Sequence, residues 1–418
     1  MSGKINQTYE TKFYQFTEHP GSDSCWSLST GPDGRIYAAS CVEETPGRSA
    51  KVTRYNEEND NVDYLFDVSE VVGDPLDSGR GTQCKIHYSF VPSPEDGILY
   101  CATHLSGAPF DLKGYSPWRF WHNNERCFRG AALIAYDTGR DKVLWTENMI
   151  PKEGCRCLVL DDKRKILYAL SYPRDHLFAY SLKDKICRDI GRIGSVNSQA
   201  LLIDRKGRIW MSDDYGHLVR YDPERDILEE SPYILPHELY QTGWHSVLYD
   251  AVASPDGESI YMVTWSVAPH LIRLWPEEGD FGLVEDLGRV TQKRNTSIPY
   301  NMFVDHVGGL VFGNDGLLYY VCSRWYDETE RGGRPDLNRQ FKAEGVVMRL
   351  NQKTLEREEV AILKRPDAIA QYESRGARDR HGDLFFGNVG KIPVGFFKMT
   401  MPNRKENADS HLPLRMWG

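Results

Sequence analysis

The sequence predicts an all-β fold, a seven-bladed β-propeller, on three observations. One strand–turn–strand pattern recurs seven times. The copies follow one another at roughly 45–65 residues, the period of four short strands per propeller blade. Tyrosine and tryptophan are abundant, with 23 and 10 among 418 residues, and both favour strands.

Each copy reads as an apolar stretch, a polar turn, then an apolar and aromatic stretch. In order they are WSLSTGPDGRIYAAS, YSFVPSPEDGILYCATH, CLVLDDKRKILYALSY, ALLIDRKGRIWMSDD, AVASPDGESIYMVTW, GLVFGNDGLLYYVCS and RGARDRHGDLFFGNV. The turns fall at Asp33, Asp96, Lys163, Lys206, Asp256, Asp315 and His381. Most copies continue into a third strand (HLFAYSLKDK, HLVRYDPERD, VVMRLNQKTL) and then a fourth. The last copy is one strand short, and the stretch 12–18 (KFYQFTE) precedes the first copy without a repeat of its own. Residues 12–18 are therefore expected to supply the outer strand of the last blade, opposite Gly395–Met401, so that 1–418 forms one ring without open sheet edges. The stretches 105–130 and 325–343 are too long for tight connections and read as functional loops. A polar tail occupies 403–418.

Charge and composition narrow the function. A net charge of −9 argues against nucleic acid and anionic membranes as partners. No apolar run approaches the length of a membrane span. The start MSGKINQTYETKF lacks the apolar core of a secretory signal, and the nine cysteines show no framework spacing. A cytoplasmic protein with reduced thiols is expected.

In a propeller, the innermost strand runs down the central channel and the second strand returns. The start of one and the end of the other share a face. In the second copy those places hold His87 and His104; in the third, Tyr172 and Arg174. The fourth offers Gln199, Asp213, Asp214 and Tyr215, and the fifth Trp244, His245, Tyr249 and Trp265. The sixth offers His306, Arg324 and Trp325, and the seventh Tyr372, Glu373 and Arg375. The opposite face carries the short turns. A mouth with converging polar and aromatic groups is the expected binding site. Cys155 and Cys157, in CRC, are expected on one strand face.

The histidine of KIHYS, the histidine closing the same hairpin in YCATH, and the following blade YALSYPRDHLFAYSLKDKICRDIGRI resemble seven-bladed propeller polysaccharide lyases. Ulvan lyases are the nearest comparison and oligogalacturonate lyases a more distant one. The resemblance implies catalytic roles for His87, His104, Tyr172 and either Arg188 or Arg192. The implied reaction is β-elimination on a uronic-acid-containing oligo- or polysaccharide. Tyrosine would move the proton, while histidine and arginine would neutralise the carboxylate. Trp118, Trp121, Trp244, Tyr249, Arg324, Trp325, Tyr372 and Arg375 are the expected substrate contacts, and an anionic sugar is the expected partner. The cofactor is open; should a divalent metal be bound at this mouth, His245 and His306 are the expected ligands. Two alternatives stand beside this reading. One is a non-catalytic binding propeller. The other is a different propeller enzyme, a metal-dependent lyase or a glycosidase using Asp213, Asp214 or Glu373.

Overall fold

Four antiparallel strands joined in sequence order form the repeating unit of the molecule. The computed structural model describes residues 9–112, 116, 118–194, 198–236, 247–265, 269–290, 307–325, 343–364, 372–390 and 394–405, with backbone alone at 323–325, 343–344 and 372–373. Four-strand meanders occupy 24–67, 85–151, 154–192, 202–234, 247–289 and 307–363. The stretch 372–399 contributes three further strands, and Thr11–Gln15 lies antiparallel to the third of them, Gly395–Met399, with Phe13 opposite Phe397. Single residue pairs join neighbouring units: Ser24 with Val389, and Cys157 with Tyr88.

The paired segment is shorter than the expected 12–18. Phe16 is buried and still bonds Val394 through its backbone, but the chain turns away at Thr17 and Glu18. The partner strand likewise ends at Met399, because the Met401 amide bonds Asp383 instead. Of the tail, residues 403–405 are held by Arg404 against Asp383 and by the Lys405 amide on the His381 carbonyl; 406–418 lie outside the described residues. The same is true of 326–342 in the second long loop.

The turn signals have a local cause. The carboxylate of Asp33 accepts from the Arg35 amide and the Tyr37 hydroxyl, and Asp315 does the same with Leu317 and Tyr319. One aspartate thus satisfies the turn and ties down the aromatic that starts the next strand. Gly34 and Gly316 follow at φ 74° and 75°, where a Cβ would be strained.

Within a unit, burial falls from the channel outward. Ile98–His104 is buried throughout, whereas the outer strand Lys142–Pro151 is largely exposed. The short helix Val68–Val72 is capped by Asp67, which accepts from Ser69 and Glu70, and ends at the left-handed Gly73. No helix among the described residues is long and apolar enough to cross a membrane.

Six innermost strands share one departure from regularity, which Leu202–Ile203 lacks. Register shifts fall between Ser24 and Ser27, Ile86 and Phe90, Cys155 and Cys157, Leu248 and Asp250, Gly308 and Val311, and Glu373 and Gly376. At each one, side chains leave the alternation of the ladder. Cys155 and Cys157 consequently join different apolar clusters, which corrects the expectation that they share a face.

Asp60, in the last turn of unit 24–67, clasps the N-terminal strand. Its carboxylate accepts from Tyr14 and Tyr55 at 2.5 and 2.6 Å and pairs with Lys12. Burial opposes its ionisation, but the hydrogen bonds from Lys12, Tyr14 and Tyr55 prevail and hold its pKa at about 2. A depressed folded pKa gives stability that is present above the unfolded value of ~3.9 and lost as pH falls towards about 2. Asp60→Asn is expected to cost about 1 kcal/mol near neutrality. In urea melts the gap from wild type should narrow between pH ~4 and ~2; an equal gap at both ends of that window would refute the clasp.

Candidate active site

His87 stands in the register shift of the inner strand Lys85–Ser93, and His104 ends the strand that returns from it. The next inner strand, Gly154–Asp161, passes close to that end. A Cβ on Gly154 would fall 2.1 Å from the Leu105 nitrogen, so only glycine permits the approach. This brings Tyr172, paired opposite Gly154, against His104.

Four rings therefore form a row. Trp26 stacks on His87 at 4.9 Å between centroids, His87 lies 5.2 Å from His104, and His104 stacks on Tyr172 at 5.0 Å. A cation covers each end: Lys85 Nζ is 4.5 Å from the Trp26 ring, and the Arg156 guanidinium 4.7 Å from that of Tyr172. His87, His104 and Arg156 are all buried, and Tyr172 is half-buried.

Hydrogen bonds set the roles. His87 Nδ1 lies 3.0 Å from the Arg156 carbonyl, which can only accept, so Nδ1 carries the proton and Nε2 the lone pair. Among the described residues, neither ring nitrogen of His104 has an aligned hydrogen-bond partner. Burial, and then the Lys85 and Arg156 cations, push both imidazoles well below the ordinary histidine pKa. They are neutral near pH 7, so the positive charge beside them is that of Lys85 and Arg156.

Acids accompany the cations of the site. Lys85 pairs with Glu43 at 2.8 Å, and Glu43 also accepts from Ser24 and from the Trp26 indole. Burial opposes Glu43's ionisation, yet Lys85 overcomes it and keeps the pKa low. Arg174 is held by Glu153, which is fully buried and also accepts from Ser171 at 2.9 Å. Near Arg156 stands Asp175, which burial raises to about 7 while Arg156 pulls it back. The Arg174 guanidinium lies 5.4 Å from the Trp121 ring, and Trp121 lies 5.2 Å from Trp118, which is 54% exposed. The loop 105–130 thus brings two indoles to the rim beside Tyr172.

The other expected residues scatter. Arg188 lies near the start of the ascending outer strand Ile186–Arg192, at the face of the short turns, where Asp226 and the Tyr221 hydroxyl hold it. Strand direction alone removes it from the site. Arg192 ends the same strand on the site face, bonded to the Gly194 carbonyl and outside the row of rings. Tyr249 and Arg375 are not rim contacts. Tyr249 is buried edge-on to Tyr88, and Arg375 pairs with Asp250 inside the channel. Arg324, Trp325 and Tyr372 stand at strand ends, but their side chains lie outside the described residues, as do Trp244, His245 and His306 altogether. Among the described residues, no group of three or more metal-ligating side chains gathers.

Sequence reasoning missed Trp26, Glu43, Lys85, Glu153 and Arg156. Lys85 was detectable, being two residues from His87 and directly opposite His104. Arg156 was not, because only the register shift turns it towards Tyr172.

No family model and no curated protein matches the chain. Solved structures do. Streptogramin B lyase superposes with a TM-score of 0.58 at 9% identity, covering 94% of this chain and 97% of that one. The extracellular domain of the putative hybrid two component system BT4673 from B. thetaiotaomicron gives 0.56 at 12%, covering 94% of this chain; this chain spans 40% of that one. The RRP9 WD40 repeats give 0.54 at 9%, covering 94% and 98%. At such identities the likeness shows the fold: an all-β propeller.

The depressed imidazole pKa values give a stability signature. Each buried neutral histidine takes up a proton on unfolding once the pH falls below ~6.5, so stability should drop by about 1.4 kcal/mol per pH unit for each of His87 and His104. Denaturant melts between pH 6.5 and 5 should show a shallower slope in His104→Gln than in wild type. Equal slopes would mean that His104 is already protonated in the folded protein.

Proposed function

We propose that the protein is a carbohydrate lyase that cleaves a uronic-acid-containing oligo- or polysaccharide by β-elimination. In the same reading the units form one seven-bladed ring, completed by Thr11–Gln15. The observation that carries the proposal is the row Trp26, His87, His104, Tyr172 with Arg156 on the outer face of the tyrosine.

Elimination removes the proton at C5, beside the carboxylate, and expels the oxygen at C4. The C–H electron pair becomes the C4=C5 double bond, and the leaving oxygen takes a proton. The C5 proton is weakly acidic while the carboxylate keeps its full charge. Arg156, fixed and shielded from water, is suited to neutralise that charge and the enediolate that develops from it. Tyr172 takes the C5 proton and returns it to the leaving oxygen, with the neutral His104 stacked against its ring in the same pocket. His87, oriented by the Arg156 carbonyl, positions His104. Trp118 and Trp121 present apolar faces to the neighbouring sugar rings.

The first test is a screen of uronate glycans for the ultraviolet absorbance of an unsaturated product. On a substrate so found, Tyr172→Phe should lower turnover by about 10²–10⁴-fold with little change in KM. Arg156→Gln should lower turnover and raise KM together, since it meets the carboxylate in both ground and transition states. Near-normal turnover in Tyr172→Phe would remove the tyrosine from the chemistry.

A further inference from the structure

The chain passes from unit 85–151 to unit 154–192 through two residues, Lys152 and Glu153. Lys152 has a left-handed φ of 64°, and its amide bonds the Arg129 carbonyl. The Glu153 carbonyl accepts from the Ala131 amide at 2.7 Å. The backbone of this turn is thus fastened to the preceding unit. Its two side chains reach different parts of the candidate site.

Glu153 reaches the strand end that carries Tyr172. Its carboxylate is fully buried. It accepts from the Ser171 hydroxyl at 2.9 Å, from the Arg174 amide at 3.3 Å and from the Arg174 guanidinium. The residue before the tyrosine and the residue two after it therefore end on one acid. Ser171 Oγ in turn accepts from the His176 amide at 3.0 Å, which closes the turn. These charge-assisted bonds offset the cost of burying the carboxylate and hold the turn in one arrangement. The tyrosine so bracketed lays its ring on His104. Lys152 reaches the loop instead, donating to the Trp121 carbonyl at 3.1 Å and to Asn124 Oδ1 at 2.8 Å.

We propose that Glu153 is a positioning residue for Tyr172. It meets no substrate itself and acts through Ser171 and Arg174, which fix the turn on both sides of the tyrosine. The inference rests on the lyase reading, which gives Tyr172 the proton transfer. Misaiming the tyrosine should then cost turnover. The adjacent Lys152 supplies the contrast, because its side chain holds the loop that bears the indoles, and loosening that loop should cost binding.

The test joins kinetics of the full chain on a uronate glycan found by the absorbance screen to a spectrum that needs no substrate. Glu153→Gln keeps the side chain's size and an acceptor for Ser171 but loses the charge that holds Arg174. It should lower kcat by about 10–10²-fold, as for a reacting group displaced by up to 1 Å. In a Tyr172→Phe background the same change should cost less than about threefold, because the group it positions no longer reacts. Lys152→Met should act mainly through KM, raising it about three- to tenfold, as for one weakened aromatic contact.

The spectrum is that of isotope-labelled histidine, in which the stacked Tyr172 ring shifts the His104 ring proton. In Glu153→Gln this signal should move towards its position in Tyr172→Ala, and in Lys152→Met it should stay. Ser171→Ala, a smaller change, should move it the same way by less. An unmoved signal in both Glu153→Gln and Ser171→Ala, the same kcat loss in Lys152→Met, or full additivity with Tyr172→Phe would each overturn the proposal. A moved signal without turnover on any uronate glycan would instead remove the lyase reading and leave Glu153 as the residue that aims Tyr172.

Discussion

A strand that borders a channel has a paired edge on one side only. That constraint shapes the whole centre of this protein. A regular inner strand would point alternate side chains at its neighbouring sheets and leave the channel lined by backbone. The register shifts near the start of the inner strands break the alternation and turn Trp26, His87 and Arg156 away from the ladder. Deeper in the channel, the shifts beside Asp250 and Arg375 place opposite charges where they can meet. Removing either partner of that pair would leave a buried charge uncompensated, at a cost of about 3–5 kcal/mol.

The candidate site balances charge by burying acids behind its cations. Glu43 lies behind Lys85, and Glu153 behind Arg174, each also held by a serine hydroxyl. The cations are thereby fixed in direction by contacts within the chain. Their combined field falls on two imidazoles that burial already disfavours as cations. The result is a site of paired charges built around neutral histidines.

The repeat was legible in sequence because its cause is local. An aspartate that binds the amide two residues on and the tyrosine four residues on leaves a short signature, as at Asp33 and Asp315. The convergence of His87 and His104 was legible for a similar reason, since a hairpin fixes which strand ends share a face. Arg156 was hidden because the alternation rule fails where the ladder shifts. The same failure misplaced Cys155 and Cys157. Arg188 was misread because its spacing from Tyr172 carries no information about how far up the outer strand it sits. The positions of Tyr249 and Arg375 depend on partners from several units meeting in the channel, and no local pattern encodes that.

The pairing of Phe13 with Phe397 also has a consequence in time. Thr11–Gln15 leaves the ribosome well before its partner strand, Gly395–Met399, is made. Until then the N-terminal strand and the outer edges of unpaired sheets are open to other chains, the exposure that makes distant β-pairing slow and prone to aggregation. The Asp60 clasp bears on this interval. Its two tyrosines and lysine come from positions 12, 14 and 55, all synthesised well before Gly395–Met399. The early strand can therefore be tethered beside unit 24–67 while it waits for a partner that does not yet exist.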